Sequence, residues 1–144
     1  MKKFLTVLAT LTTAALTTAL LTVPASAQSA MTMGHSGAFH ALGAPTSGKA
    51  ILDSSGGKTV LKLEGLKTEP GPGLQVWLYV GKSPAKGTPD VAIVKGKYLK
   101  VGELKTFSGD FSFPVPAGTK IGDYKSVVLW CANVKTAFGS APLN

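Results

Sequence analysis

Arginine is absent from this chain of 144 residues, and all 15 basic side chains are lysines. Proteins that bind nucleic acids ordinarily use arginine forks, interleaved with aromatic side chains that stack on bases. The lysines are also scattered along the chain, a pattern that favours a solvated, soluble surface over a binding patch. The sequence therefore predicts no nucleic-acid partner.

Only one cysteine, Cys131, is present. A single cysteine excludes an intrachain disulfide, a four-cysteine zinc site and an iron–sulfur cluster held by this chain's own thiolates. There is no Cys-x-x-Cys-His sequence for covalent haem attachment. Blue-copper sites place a histidine and a methionine shortly after the cysteine, and neither residue type follows Cys131.

Motifs for hydrolysis or phosphoryl transfer are missing too. The segment Gly-His-Ser-Gly at 34–37 lacks the Gly-x-Ser-x-Gly spacing of a nucleophile elbow. The segment Gly-Gly-Lys-Thr at 56–59 resembles the end of a phosphate-binding loop, but Leu52 stands where its first glycine belongs. The 7 acidic residues form no evident carboxylate pair. We therefore predict that the protein is not an enzyme.

The N-terminus has the layout of a secretory signal peptide. A basic start at 1–3 precedes an uncharged run over 4–23, and small residues at 25–27 suit cleavage before Gln28. Such a run could also anchor the chain in a bilayer, but its seven threonines and the Ala-Ser-Ala ending favour cleavage. We expect a secreted, periplasmic or cell-envelope protein with no stable membrane insertion after cleavage.

The remainder divides into a predicted flexible lead over 28–36 and one domain over 37–144. All 17 glycines and eight of the nine prolines follow the signal peptide. They separate short segments rich in valine, leucine and aromatic residues, which is typical of an all-β sandwich or barrel. The fold class we expect is a single-domain antiparallel β-sandwich of short strands.

The segment Tyr124–Val134 is the predicted centre of that domain. Strand alternation places Val127, Leu129 and Cys131 on one face, and Val128, Trp130 and Ala132 on the other. Both faces are apolar, so we predict a central strand covered on both sides. The other predicted strands are 37–40, 49–52, 59–66, 74–80, 90–94, 98–101, 109–113 and 135–138, with hairpin turn chemistry at 53–57.

Three residues are candidates for chemistry. Cys131 is either a buried core thiol or a functional one, because an unpaired cysteine in an exported protein is unusual; an intermolecular disulfide is a third option. His35 and His40 follow Met31 and Met33, and thioethers with imidazoles can hold copper. Their spacing is poor for a metal site, which favours incidental histidines.

Taken together, a series of short sequence motifs along the chain resembles the DM13 domain family. The resemblance spans about Gly37 to Leu143 and is carried by Gly37-x-Phe39, Gly48-Lys-Ala-Ile51, Gly71-Pro-Gly-Leu74 with Val76-Trp-Leu78, Gly102-Glu-Leu-Lys105, Gly109 with the phenylalanine strand, Tyr124-Lys-Ser-Val-Val-Leu-Trp-Cys131 and Phe138-Gly-Ser-Ala141.

This resemblance implies an extracellular β-sandwich module with a role in electron transfer. It also implies that Cys131 is the redox or haem-ligating residue, with haem or copper as the cofactor to be tested. A histidine expected before the Pro-Thr-Ser-Gly turn is Ala44 here, so only Cys131 carries over. The alternative is a cofactor-free cell-envelope binding or adhesion module in which Cys131 is core packing. The redox or envelope partner is unknown in either case.

Overall fold

The computed structural model describes residues 34–144. The predicted signal peptide lies outside them, as do Met31, Met33 and most of the predicted lead. Within the described range, no helix is both long enough and apolar enough to cross a bilayer. The strands are β1 (His35–Ala38), β2 (His40–Ala41), β3 (Ser47–Ser55), β4 (Lys58–Lys67), β5 (Leu74–Tyr79), β6 (Tyr98–Glu103), β7 (Ser108–Pro114), β8 (Ser126–Cys131) and β9 (Thr136–Pro142). The described residues also form one short α-helix, α1 (Asp90–Val94), and one turn of 3-10 helix (Ile121–Asp123).

The strands form two antiparallel sheets. The first contains four strands in the order β1-β3-β4-β7, and the second contains five in the order β2-β9-β8-β5-β6. A continuous core of buried side chains from both sheets fills the space between them. The predicted antiparallel β-sandwich is confirmed.

Strand β8 is the middle strand of the five-stranded sheet, as the sequence predicts. All six of its residues are buried. Val127, Leu129 and Cys131 belong to the core between the sheets, whereas Val128 and Trp130 belong to a second apolar cluster on the outer face. The prediction of a strand covered on both sides is therefore confirmed.

The hairpin between β3 and β4 forms where the sequence predicts a strand at 59–66 and a turn at 53–57. In β4, Leu61 and Leu63 are completely buried, whereas Lys62 and Glu64 are not. At the turn, Gly56 and Gly57 have φ angles of 61° and 76°. Two successive positive φ values are the signature of the tight turn that matches the twist of a hairpin, and glycine adopts them without a steric penalty.

The first predicted strand, 37–40, is in fact split between the sheets. β1 begins at His35 and pairs with β3 in the first sheet, and β2 pairs with β9 in the second. Phe39 stands between them and is only 7% exposed. The chain thus crosses from one sheet to the other at Phe39, whose side chain anchors the crossing in the core.

The prediction of a strand at Asp90–Val94 is wrong, because this segment is helix α1. Its four-residue apolar run looks like a strand, but only Ile93 is buried. The carboxylate of Asp90 accepts hydrogen bonds from the Ala137 backbone N–H at 2.9 Å and from the Thr136 hydroxyl at 3.3 Å. These bonds to β9 hold the segment against the sheet from outside, where it has no strand partner.

Helix α1 lies in the segment 80–97, which covers part of the outer face of the five-stranded sheet. Ile93 packs there with Trp77, Tyr79, Val128 and Trp130. The five-stranded sheet is therefore covered by the first sheet on its inner face and by this segment on part of its outer face.

Candidate functional site

Cys131 is the last residue of β8, and its side chain points into the core between the sheets. It is completely buried. Its partners across the sheet are Leu74 on β5 and Thr136 on β9. The thiol donates a hydrogen bond to the carbonyl oxygen of Pro72 at 3.2 Å. The sulfur is thus held in one orientation by a buried polar contact.

A glycine–proline loop covers this thiol. The position of Gly71 is so close that an added methyl group would lie 3.3 Å from the Cys131 Sγ and 2.8 Å from the Phe138 ring. Contacts that short are tighter than packed side chains normally adopt. Gly71, Pro72 and Phe138 therefore enclose the sulfur, and only glycine fits at position 71 without a shift.

The surroundings of Cys131 do not fit a haem or a copper ion. A haem or metal ligand needs an open position beside the donor atom, whereas here Gly71 and Phe138 fill the space at Sγ. Among residues 34–144, no group of three or more histidine, cysteine or acidic side chains converges as a metal site would require. What Cys131 retains is the chemistry of a single, sheltered thiol.

The two histidines are not brought together with Cys131. His35 is exposed on β1, in the opposite sheet. The His40 Nε2–H donates to the Pro84 carbonyl at 2.7 Å, on the outer side of the five-stranded sheet. On strand β9, His40 pairs with Ser140 and Cys131 pairs with Thr136. These two positions on β9 are four residues apart, which is about 13 Å along a strand. Cys131 faces inward instead.

On the outer face, the side chains nearest in sequence to Cys131 are aromatic. Trp130 stacks on Trp77 with ring centroids 5.0 Å apart, and Trp77 stacks on Tyr98 at 3.6 Å. Trp130 and Trp77 are 6% and 2% exposed. The sequence does not reveal Tyr98, which comes from β6 and completes a three-ring stack across three neighbouring strands. The alternation of β6 is the only signal that places its ring outward.

The fold and the sheltered thiol together define a small two-sheet β module with a single redox-capable sulfur in the described residues. A family model described as "Electron transfer DM13" matches residues 38–143. The chain therefore belongs to the DM13 family. Comparisons with curated proteins and with solved structures gave no match.

Proposed function

We propose that this chain is an exported, non-enzymatic electron-transfer domain in which Cys131 is the redox centre. The family's description as an electron transfer domain supports the general role. The signal-peptide pattern over residues 1–27 supports export. The partner would be a redox protein or small redox molecule of the cell envelope.

The observation that carries the assignment to Cys131 is its enclosed thiol. It is the only sulfur in residues 34–144, it is fully buried, and it donates one defined hydrogen bond to Pro72. Thiol–disulfide exchange requires direct access to sulfur, and Gly71 and Phe138 deny that access. In the proposed step, Cys131 gives one electron to the partner redox protein and its thiol proton to solvent, which leaves a thiyl radical that the reverse transfer restores. The electron can pass through the surrounding protein without contact at the sulfur, so this environment suits electron transfer better than disulfide chemistry.

The test is protein-film voltammetry on the wild type, Cys131→Ala and Cys131→Ser. We expect a reversible wave in the wild type and none in either variant. Circular dichroism checks that all three proteins are folded. The serine variant is the matched control, because its hydroxyl can still donate to the Pro72 carbonyl while lacking the sulfur. A wave that persists in both variants would refute the role of Cys131.

The same burial supports a second function, a cofactor-free envelope-binding module in which Cys131 only packs the core. In that case the wild type shows no wave, and both substitutions lower the free energy of unfolding without other effect. Labelling with a thiol reagent adds a direct check: native protein should react only as fast as it opens, and unfolded protein at once. Non-reducing electrophoresis would reveal the intermolecular disulfide, which the enclosed sulfur disfavours.

A further inference from the structure

We infer that a groove on the outer face of the five-stranded sheet binds a flat aromatic anion, such as an aryl carboxylate or a phenolate. The groove has a volume of about 500 Å³. The stacked rings of Trp77, Trp130 and Tyr98 line its sheet side, and Val91 and Val94 of α1 line the other. This size and this apolar, aromatic lining are typical of small-molecule sites.

Exposed apolar side chains gather around this groove. The described residues include four large hydrophobic side chains that are exposed to solvent: Val91 (65%), Val134 (58%), Val94 (43%) and Tyr98 (43%). Three of them line the groove, and Val134 lies between its lining residues Ala132 and Lys135 in the chain. Contiguous exposed apolar surface on a small protein marks a binding site more often than chance exposure.

The polar groups of the groove select the charge of the ligand. Asp90 is already occupied, because its two oxygens accept hydrogen bonds from Ala137 and Thr136. Gln75 uses its Oε1 to accept from the Trp77 indole at 2.9 Å, which leaves its amide N–H groups free to donate. Lys135 forms no ion pair with any described residue. The free groups are therefore donors and a cation, which match an anionic or acceptor oxygen.

The backbone at Lys135 gives independent support. Its φ is 53°, and it is the only residue other than glycine with a positive φ in the described part of the chain. A long side chain in this left-handed conformation is disfavoured relative to glycine or asparagine. The hairpin thus carries lysine at a position that suits glycine or asparagine, and that lysine lines the groove.

The lining also favours a flat ring over a sugar. The rings of Trp77 and Tyr98 are parallel within 6°, and those of Trp77 and Trp130 within 20°. Of the three rings, Tyr98 is the exposed one. A further planar ring can add to this stack at Tyr98, or meet the ring edges, by offset or edge-to-face contact. A sugar needs hydrogen-bond partners for many hydroxyl groups, and the groove offers few.

The experiment is a fluorescence titration of the full protein with 2-naphthoate. Trp77 and Trp130 are the only tryptophans in the chain, so the whole tryptophan emission reports on this groove. We expect a saturable change with naphthoate, weaker binding of neutral 2-naphthamide, and no competition from cyclohexanecarboxylate or methyl glucoside. Equal competition by cyclohexanecarboxylate or by the glucoside would overturn the proposed ligand class.

Variants locate the site. Lys135→Gln should weaken naphthoate binding about fivefold, the scale of one exposed charge pair, and Val91→Asp about tenfold or more, because it places a like charge beside the ligand. Both positions are exposed, so neither change should unfold the protein. Lys95→Gln is the control: it removes the same charge from a neighbouring lysine that does not line the groove. If it weakens binding as much as Lys135→Gln, or if no saturable change occurs at all, the proposal is wrong. None of these outcomes depends on Cys131.

Discussion

At the scale of single residues, the alternation of β8 predicts which way the Cys131 side chain points, but it does not predict what encloses the thiol. The two-residue period of β8 correctly places Cys131 on the inner face with Leu129. The Pro72 carbonyl that accepts its hydrogen bond lies 59 residues away in sequence. A contact made by a distant loop leaves no periodic signal in the chain, so the enclosure of the thiol could not be predicted.

Because Gly71 packs closely over the Cys131 thiol, the Gly71→Ala variant should be less stable than the wild type. The added methyl group meets the Phe138 ring at 2.8 Å, so we expect a loss of about 1–3 kcal/mol in the free energy of unfolding. Urea denaturation measures it. Gly122→Ala is the control, because a methyl group there meets no atom within 4 Å. If both variants are equally stable, the packing around Cys131 is looser than described.

At the scale of elements, strands were easier to predict than the helix. The alternation of β4, the two apolar faces of β5 and β8, and the glycine turn at 56–57 all lie within short windows of sequence, where periodicity and turn chemistry act. The sequence of helix α1 predicts a strand, because an apolar run of four residues fits either structure. The deciding interaction is the pairing of Asp90 with β9, which is a tertiary contact.

The hairpin of β3 and β4 gives a prediction about pH. The Lys62 ammonium donates to the Asp53 carboxylate at 2.9 Å. This hydrogen bond lowers the pKa of Asp53 and raises the pKa of Lys62. The lowered Asp53 pKa means that the pair stabilises the fold above about pH 4, the pKa range of an unfolded aspartate, and that this stability is lost as pH falls through the lower folded value.

Removing the lysine tests this linkage. Lys62→Met should reduce the difference between the free energies of unfolding at pH 6 and pH 2, as measured by urea denaturation at each pH. Lys58→Met removes the same charge from the same hairpin without breaking an ion pair with the described residues. It should leave that difference unchanged. The same pH dependence in wild type and Lys62→Met would show that the pair does not affect stability.

At the scale of the whole molecule, the sequence predicts the β-sandwich but not the segment 80–97 that covers part of the outer face of the five-stranded sheet. Short apolar segments between glycines and prolines indicate a sandwich, because each strand needs a partner sheet to bury its apolar face. Which sheet a surface segment then covers depends on packing between distant parts of the chain. The segment 80–97 therefore emerged only from the structure, together with the aromatic groove beneath it.

This architecture predicts an order of hydrogen exchange. Strand β8 is bonded on both sides, to β5 and β9, and is buried on both faces, so its amides should exchange only through global unfolding. Edge strands β1 and β6 and helix α1 should exchange faster, through local opening. Native-state exchange followed by NMR measures these rates. Exchange in β8 as fast as in β6 would contradict the central position of β8.

Trp130 and Cys131 are neighbours in the chain, yet the sheet sends their side chains into two separate compartments. Helix α1, within the segment 80–97, packs on the aromatic cluster and lines its groove, whereas Gly71, Pro72 and Phe138 enclose the thiol. Insertions, deletions or substitutions in that one segment would reshape the groove while leaving the sulfur's surroundings intact. The proposed ligand preference of the groove and the proposed redox role of Cys131 can therefore diverge independently in evolution, and an engineer can graft a new segment 80–97 without rebuilding the core.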